Sequence, residues 1–224
     1  MREVDRVMVE DLGISLLQMM ENAGRATATR ARSMLGGSVA GQPVTVLAGP
    51  GGNGGGGMVA ARRLAVWGAR VTVVLSHPPS ELSSAAAHQC ATLHKLGIDT
   101  SVGPVTLTGT ALIIDALIGY SLRGAPRGAA AEVIHAANDA PAQVLSLDVP
   151  SGMDSDTGAA HHPCITATST LTLALPKTGL LTPAAAPVVG ELFVADISVP
   201  ASVYESFGLA VGALFAAADI VPVR

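Results

Sequence analysis

The chain has 224 residues, of which 49% are hydrophobic and 13% charged, and a formal net charge of −4. A hydrophobic fraction this large excludes an intrinsically disordered chain. Thirteen basic against seventeen acidic residues, with no basic run, argue against a nucleic-acid ligand. Because no apolar run approaches the roughly 18 residues that a membrane-spanning helix needs, no membrane partner is expected.

The compartment and the oligomeric state are predicted from the same composition. Residues 1–5 carry mixed charge and lack the apolar core of a signal peptide. The two cysteines, Cys90 and Cys164, are therefore expected to be free thiols of a cytoplasmic protein. A charged fraction about half of the usual ~25% favours a surface that is partly covered by a second copy of the chain, which predicts a homodimer.

Helical and extended segments alternate along the chain. Apolar residues recurring every three to four positions predict helices in residues 1–35, with a break at Gly13. Short β-branched apolar runs predict strands at 43–48, 71–75, 98–102, 112–115, 143–148, 170–174 and 192–196. Further helices are predicted at 58–67, from a Ser80 cap through residue 96, and at 132–138. Residues 209–221 fit either a docked helix or an interface element.

This alternation predicts an α/β fold with a parallel central sheet and helices on both faces. The sequence has no internal repeat, no low-complexity linker and no break in composition, so residues 1–224 are expected to form one domain.

The segment between the first predicted strand and the following helix, residues 49–57, has seven glycines in nine positions. Glycines let a ligand approach the bare backbone, and amides at the start of a helix bind anions such as phosphate. A glycine-rich loop that contacts a phosphate or a nucleotide is therefore predicted here.

Two common nucleotide-binding motifs fit this segment poorly. Gly49, Gly51 and Gly54 match the GxGxxG dinucleotide fingerprint. The acidic residue that should follow the next strand is replaced by Leu75-Ser76-His77, which argues against a standard hydride-transfer dehydrogenase. A P-loop is also disfavoured, since Met58 stands where a lysine is expected.

Two predicted strands in the middle of the chain end on carboxylates, Asp115 and Asp148. Ligands of parallel sheets bind beyond the carboxyl ends of the strands, and a carboxylate there is costly unless it binds a cation, an amide or a substrate hydroxyl. Together with Asn53 and Ser151, these residues offer oxygens without thiol or imidazole ligands. That set suits hard cations such as K⁺ or Mg²⁺ and does not suit zinc.

Six segments of the chain resemble the YjeF N-terminal domain family, the NAD(P)H-hydrate epimerases. They lie in the family's order over nearly the whole chain: MENAGRA (20–26), GPGGNGGGGMVAARRL (49–64), IIDALIGYSLRG (113–124), LDVPSGMD (147–154), LPKTGLL (175–181) and VADISVP (194–200).

The resemblance implies a three-layer α/β/α, Rossmann-like fold, usually dimeric, and epimerisation of the R and S forms of hydrated NADH and NADPH. It implies one potassium ion, held by Asn53, Asp115 and Ser151. The implied substrate contacts are Gly52, Asn53, Gly54, Gly55, Gly56, Gly119, Tyr120, Ser121, Leu122, Arg123, Gly124, Ala125 and Asp148. A dehydratase of the same pathway is expected to be a separate protein.

The implied reaction needs one group that gives a proton to the C6 hydroxyl of the hydrated nicotinamide ring and later takes one back from water. Asp148 is expected to be that group. The sequence leaves open whether Lys177, in a loop after a predicted strand, contacts the ligand, and a solvated side chain is the favoured expectation.

The chain departs from the family pattern at three positions. Gly52 replaces the first Asn of GNNGGDG, Gly56 replaces its Asp, and Tyr120 stands where Thr is common. Two alternatives to an epimerase therefore stay open. One is a non-catalytic nucleotide-binding or scaffolding module of the same fold, and the other is an enzyme acting on a different nucleotide-linked metabolite.

Overall fold

A computed structural model of the protein describes residues 1–103 and 105–223. These residues form one sheet of eight strands: β1 Pro43–Ala48, β2 Arg70–Leu75, β3 Asp99–Val102, β4 Leu112–Ala116, β5 Gln143–Leu147, β6 Ser169–Leu173, β7 Glu191–Ala195 and β8 Ile220–Pro222. Their order across the sheet is β3-β2-β1-β4-β5-β6-β7-β8. All neighbouring pairs are parallel except β7 and β8.

Helices cover both faces of this sheet. They are α1 Arg2–Arg6, which continues as a π-helical turn at Val7–Asp11, α2 Leu16–Met34, α3 Gly52–Val66, α4 Ser84–Lys95, α5 Gly128–Asp139, α6 Ala186–Val189 and α7 Ala201–Glu205. Side chains of α2, α3 and α4 pack with Val46 of β1 on one face, and side chains of α5 pack with Leu47 on the other. Successive residues of a strand point to opposite faces, so the sheet is buried between two helical layers.

The structure confirms the predicted α/β/α architecture with a mainly parallel sheet, and each predicted strand lies within one residue of an observed one. Strand β8 was not predicted. It comes from the segment left open at 209–221 and pairs antiparallel with β7, from Phe193 opposite Pro222 to Ala195 opposite Ile220. A three-residue edge strand has too few positions to show alternation, so its pairing is set by tertiary contact.

The predicted loop at 49–57 is wrong over most of its length, because α3 begins at Gly52. A Cβ at Gly54 would lie 1.9 Å from the carbonyl oxygen of Gly49, and one at Gly57 would lie 2.5 Å from the Cβ of Ala116. The glycines therefore allow the first turns of α3 to pack directly on the ends of β1 and β4. This packing outweighs the low helix propensity of glycine, which costs about 1 kcal/mol per residue relative to alanine.

Two other helix starts differ from the predictions. Residues 79–81 form a 3₁₀ turn, and α4 is capped by Ser83 instead of Ser80, with the Ser83 hydroxyl accepting from the amide of Ala86 at 3.3 Å. Helix α5 starts at Gly128, four residues before the predicted start. The break at Gly13 is confirmed, since its φ of +68° is a conformation that favours glycine.

Within the described ranges, no helix is both long and apolar enough to cross a membrane.

The contact between α2 and α3 depends on a glycine outside the cleft described below. A Cβ at Gly24 would lie 2.4 Å from the Cβ of Val59 and 2.8 Å from the carbonyl oxygen of Gly56. We expect Gly24→Ala to lower the free energy of unfolding by about 1–3 kcal/mol, the usual cost of overpacking. Urea denaturation monitored by circular dichroism measures this change.

Gly51→Ala is the matched control, because a Cβ at Gly51 meets no atom within 4 Å and the φ there is −101°. Its unfolding free energy should change by less than about 1 kcal/mol. Equal losses in the two variants would contradict the packing argument.

Candidate functional site

A cleft of about 590 Å³ lies at the C-terminal edge of the sheet, where the strand order reverses between β1 and β4. This is the position at which open α/β sheets bind ligands. Its lining includes Met20 of α2, the start of α3, the loop after β4, Asp148 after β5, and Lys177. Ser76 and His77, directly after β2, line it as well, with the Ser76 hydroxyl 2.9 Å from Nδ1 of His77.

Asp115, the penultimate residue of β4, is fully buried next to this cleft. Its Oδ2 accepts from the hydroxyl of Ser146 at 2.8 Å and from the amide of Ser151 at 2.9 Å. Its Oδ1 accepts from the hydroxyl of Ser151 at 2.5 Å and from the amide of Leu117 at 3.3 Å. Side chains and backbone of two neighbouring strand ends therefore hold this carboxylate.

Burial raises the pKa of Asp115 above its ordinary value, and the hydrogen bonds from Ser151, Ser146 and Leu117 offset this only in part. Within residues 1–103 and 105–223, no lysine, arginine or histidine forms an ion pair with Asp115. A buried carboxylate without a countercharge is unfavourable, so Asp115 is neutralised either by a proton or by a cation supplied from elsewhere.

Asn53, in the first turn of α3, carries a buried amide nitrogen that has no hydrogen-bond partner among the described residues. The nitrogen and oxygen of an amide are distinguished only by their partners. If the amide is turned over, its oxygen takes this unpaired position. Asn53, Asp115 and Ser151 then present amide, carboxylate and hydroxyl oxygens, which is the ligand chemistry of a hard cation. The residues present therefore fit the potassium ion that the resemblance implies.

Asp148 follows β5 and is 4% exposed, with a φ of +73°. Aspartate and asparagine adopt this left-handed region more readily than other residues with a side chain. The amide of Asp148 donates to the carbonyl oxygen of Leu171 at 2.8 Å, and its Oδ2 accepts from the amide of Tyr120 at 3.2 Å. The strained backbone turns the carboxylate towards the loop after β4.

Lys177 was expected to be solvated, and that expectation is wrong. The residue is 7% exposed, and its ammonium group forms an ion pair with Oδ1 of Asp148. It also donates to the hydroxyl of Thr172 at 3.1 Å and to the carbonyl oxygen of Leu173 at 3.0 Å. The sequence contained one signal for this placement: Asp148 needs a cation if it is buried, and the chain has only two lysines, Lys95 and Lys177.

Gly119 lies close to two polar side chains of the cleft, those of Asp148 and Asn53. A Cβ built at this position would lie 3.2 Å from Oδ2 of Asp148 and 3.3 Å from Cγ of Asn53. Contacts at that distance are tight, so a side chain here would crowd the carboxylate and the amide, and glycine lets the loop after β4 lie against both. Gly119, Asp148 and Asn53 all line the cleft.

The predicted substrate contacts fall into two groups. Seven of them line the cleft: Gly52, Asn53, Gly56, Gly119, Tyr120, Ser121 and Asp148. The other six do not belong to its lining: Gly54 and Gly55 within α3, and Leu122, Arg123, Gly124 and Ala125 in the loop after β4. As substrate contacts, all thirteen residues stay predictions.

Tyr120 ties the N-terminal helix to the cleft. Its hydroxyl donates to Oδ2 of Asp5 at 2.5 Å, and both residues line the cleft together with Met1. Burial and the neighbouring Asp5 carboxylate raise the pKa of the Tyr120 hydroxyl. Where the family pattern has a threonine, this chain therefore has a tyrosine that closes one side of the cleft.

Comparison with known proteins shows related sequences over most of the chain. Residues 16–179 match the family model "YjeF-related protein N-terminus". The chain is 46% identical over 211 residues to "NAD(P)H-hydrate epimerase" of Dehalogenimonas lykanthroporepellens, covering 93% of this chain and 84% of that protein. It is 34% identical to the protein of the same name from Rhodopirellula baltica, with 93% and 86% covered.

A longer relative and a solved structure agree with this. The chain is 41% identical to the "Bifunctional NAD(P)H-hydrate repair enzyme Nnr" of Hyperthermus butylicus, with 85% of this chain and 36% of that protein covered. The crystal structure of yeast ynu0 superimposes with a TM-score of 0.79 and 25% identity, covering 99% of this chain and 96% of the yeast chain. This protein therefore belongs to the family of proteins related to the YjeF N-terminus.

Proposed function

We propose that this protein is an NAD(P)H-hydrate epimerase, an isomerase that interconverts the R and S forms of hydrated NADH and NADPH. The observation that carries the proposal is the 46% identity over 93% of the chain to a relative of that name, most of whose length this chain covers. The cleft supports it chemically, because the Asp148 carboxylate belongs to its lining at the ligand-binding edge of the sheet.

Asp148 is the proposed catalytic residue. In its protonated form, it gives its proton to the C6 hydroxyl of the hydrated ring. The C6–O bond breaks with its electron pair to release water, while the lone pair of the ring nitrogen forms a C=N bond. Water then adds to C6 from the other face, the nitrogen regains its lone pair, and a proton from that water returns to Asp148. No electrons are exchanged, and one carboxyl group serves both directions.

Asn53, Asp115 and Ser151 are proposed to hold a potassium ion. The unpaired amide of Asn53 and the uncompensated carboxylate of Asp115 support this assignment. When bound, the ion supplies positive charge that offsets the Asp115 carboxylate and attracts substrate oxygens to this end of the cleft.

Gly52, Asn53 and Gly56 at the start of α3 are proposed to contact the substrate on one side of the cleft, and Gly119, Tyr120 and Ser121 on the other. The amides in the first turn of a helix have no intrahelical acceptors, and α3 is fifteen residues long, so its start favours a bound phosphate. The remaining proposed substrate contacts are made by the backbone next to these residues, at Gly54, Gly55 and 122–125.

The compartment, the oligomeric state, the pathway partner and the domain organisation of the enzyme are also proposed. Both cysteines, Cys90 and Cys164, are free thiols, as a cytoplasmic protein requires. A homodimer is supported by the low charged fraction and by exposed apolar side chains such as Leu12, Leu16 and Val66. Relatives that share most of their length with this chain are named as epimerases alone, which supports a separate dehydratase in the pathway. One continuous sheet supports a single domain over 1–224.

We expect the protein to convert purified S hydrate of NADPH into the R form faster than the spontaneous rate, and to do so only with potassium present. Chromatographic separation of the epimers measures the rate, with tetramethylammonium chloride at equal ionic strength as the control. No acceleration with nucleotide still bound would favour the scaffolding alternative. Acceleration without potassium would contradict the proposed ion alone.

We expect Asp148→Asn to lower kcat by about 10²- to 10⁴-fold, the usual contribution of a general acid–base. Asparagine tolerates the positive φ at this position, so the backbone should keep its course. Asp139→Asn, which changes an exposed carboxylate at the end of α5, is the matched control and should keep full activity. The same epimer assay, run below the melting temperature of each variant, measures both. Full activity of a folded Asp148→Asn protein would remove the residue from its proposed role.

A further inference from the structure

Lys177 is a buried cation in the cleft that the reaction described above does not use. Its side chain is 5% exposed, as is that of Asp148, and the two form an ion pair. Burying a lysine is unfavourable unless its charge is paired and its N–H groups find acceptors. The partners of Lys177 therefore indicate what it does.

All three N–H groups of the Lys177 ammonium have protein acceptors. These are Oδ1 of Asp148, the hydroxyl oxygen of Thr172 at 3.1 Å, and the carbonyl oxygen of Leu173 at 3.0 Å. A lysine ammonium has three donors and no acceptor. No N–H group is left for a substrate, so Lys177 acts through Asp148 and not on the substrate itself.

The two oxygens of Asp148 are consequently different. Oδ1 faces Lys177 and also lies 3.4 Å from the amide of Leu173. Oδ2 accepts from the amide of Tyr120 at 3.2 Å and lies against Gly119, and both of these residues line the cleft. Because two donors lie at Oδ1, in addition to the Lys177 charge, a proton on the carboxyl group belongs on Oδ2, on the side of Gly119 and Tyr120.

We propose that Lys177 is a positioning residue for the epimerisation: it binds Oδ1 of Asp148 and so restricts proton transfer to Oδ2. The inference rests on the proposed function. In each direction the Oδ2–H bond of Asp148 breaks or forms while Lys177 keeps its own protons. When Asp148 has given its proton to the leaving hydroxyl, the ammonium group stabilises the carboxylate that remains.

The proposed role of Lys177 predicts different effects on kcat and on KM. Lys177 makes no hydrogen bond that a substrate would need, so its removal should leave KM unchanged within about threefold, while kcat falls because the transition state loses a correctly oriented acid. A residue needed only for folding would instead lower the fraction of folded protein and leave kcat per folded molecule unchanged.

The test compares Lys177→Met with Lys95→Met in the epimer assay. Methionine keeps much of the volume of the side chain and removes its charge, and Lys95 is the exposed lysine of the chain. We expect Lys177→Met to lower kcat by about 100-fold, the low end of a general acid–base contribution. Lys95→Met should keep the wild-type kcat and KM. Folded fractions are measured by circular dichroism.

A second variant keeps the test decisive if Lys177→Met unfolds. Lys177→Ala leaves a cavity next to Asp148, into which a small alkylammonium ion fits. We expect n-propylammonium chloride to restore part of the lost kcat, whereas 1-propanol, which fills similar volume without charge, restores none. Equal effects of the two additives would show that only volume is required and would overturn the proposal.

The failure of this inference and the failure of the proposed function give different results. A wild-type protein without epimerase activity would contradict the proposed function. An active wild type together with a folded Lys177→Met protein that keeps its kcat, or with a changed KM and an unchanged kcat, would contradict the positioning role alone.

Discussion

The site depends on two carboxylates that are held without bulk water at the carboxyl ends of neighbouring parallel strands. Asp115 and Asp148 are both buried, and each would be strongly unfavourable if left unpartnered. The chain meets this constraint in two ways. Asp115 takes hydroxyl and amide donors from Ser146, Ser151 and Leu117 but no basic side chain. Asp148 takes the ammonium group of Lys177. These different environments are the basis of the two proposed roles, a cation ligand for Asp115 and a proton-transfer group for Asp148.

The glycines of α3 also determine the geometry of this site. Because Gly54 and Gly57 have no side chains, the start of the helix lies directly on β1 and β4, which brings Asn53 next to the loop that holds Gly119. The close approach therefore has a structural reason that is independent of any ligand. Positions 52 and 56, also in α3, differ in the room that they leave for a side chain. A Cβ at Gly52 would meet only Met20, at 3.9 Å, and one at Gly56 would contact Leu147 at 3.2 Å.

Most of the architecture could be predicted from the sequence, because buried parallel strands leave long apolar runs and their ends carry recognisable polar residues. Asp115, Asp148, Asn53 and Ser151 were selected from residue type and strand-end position alone. The start of α3 was not predictable, since its helical conformation depends on packing against β4. Lys177 was missed for a related reason: it lies 29 residues after Asp148, and only the pairing of β5 with β6 brings their loops together. Local sequence patterns do not predict such a long-range contact.

The proposed mechanism depends on proton exchange between Oδ2 of Asp148 and the C6 hydroxyl of the substrate. A crystal structure of the protein with hydrated NADPH bound, in the presence of potassium, tests it most directly. We expect the C6 oxygen to lie within about 3.2 Å of Oδ2, in the part of the cleft that Gly119 lines, with Lys177 still bound to Oδ1. A C6 oxygen bound elsewhere in the cleft, out of reach of Asp148, would contradict it.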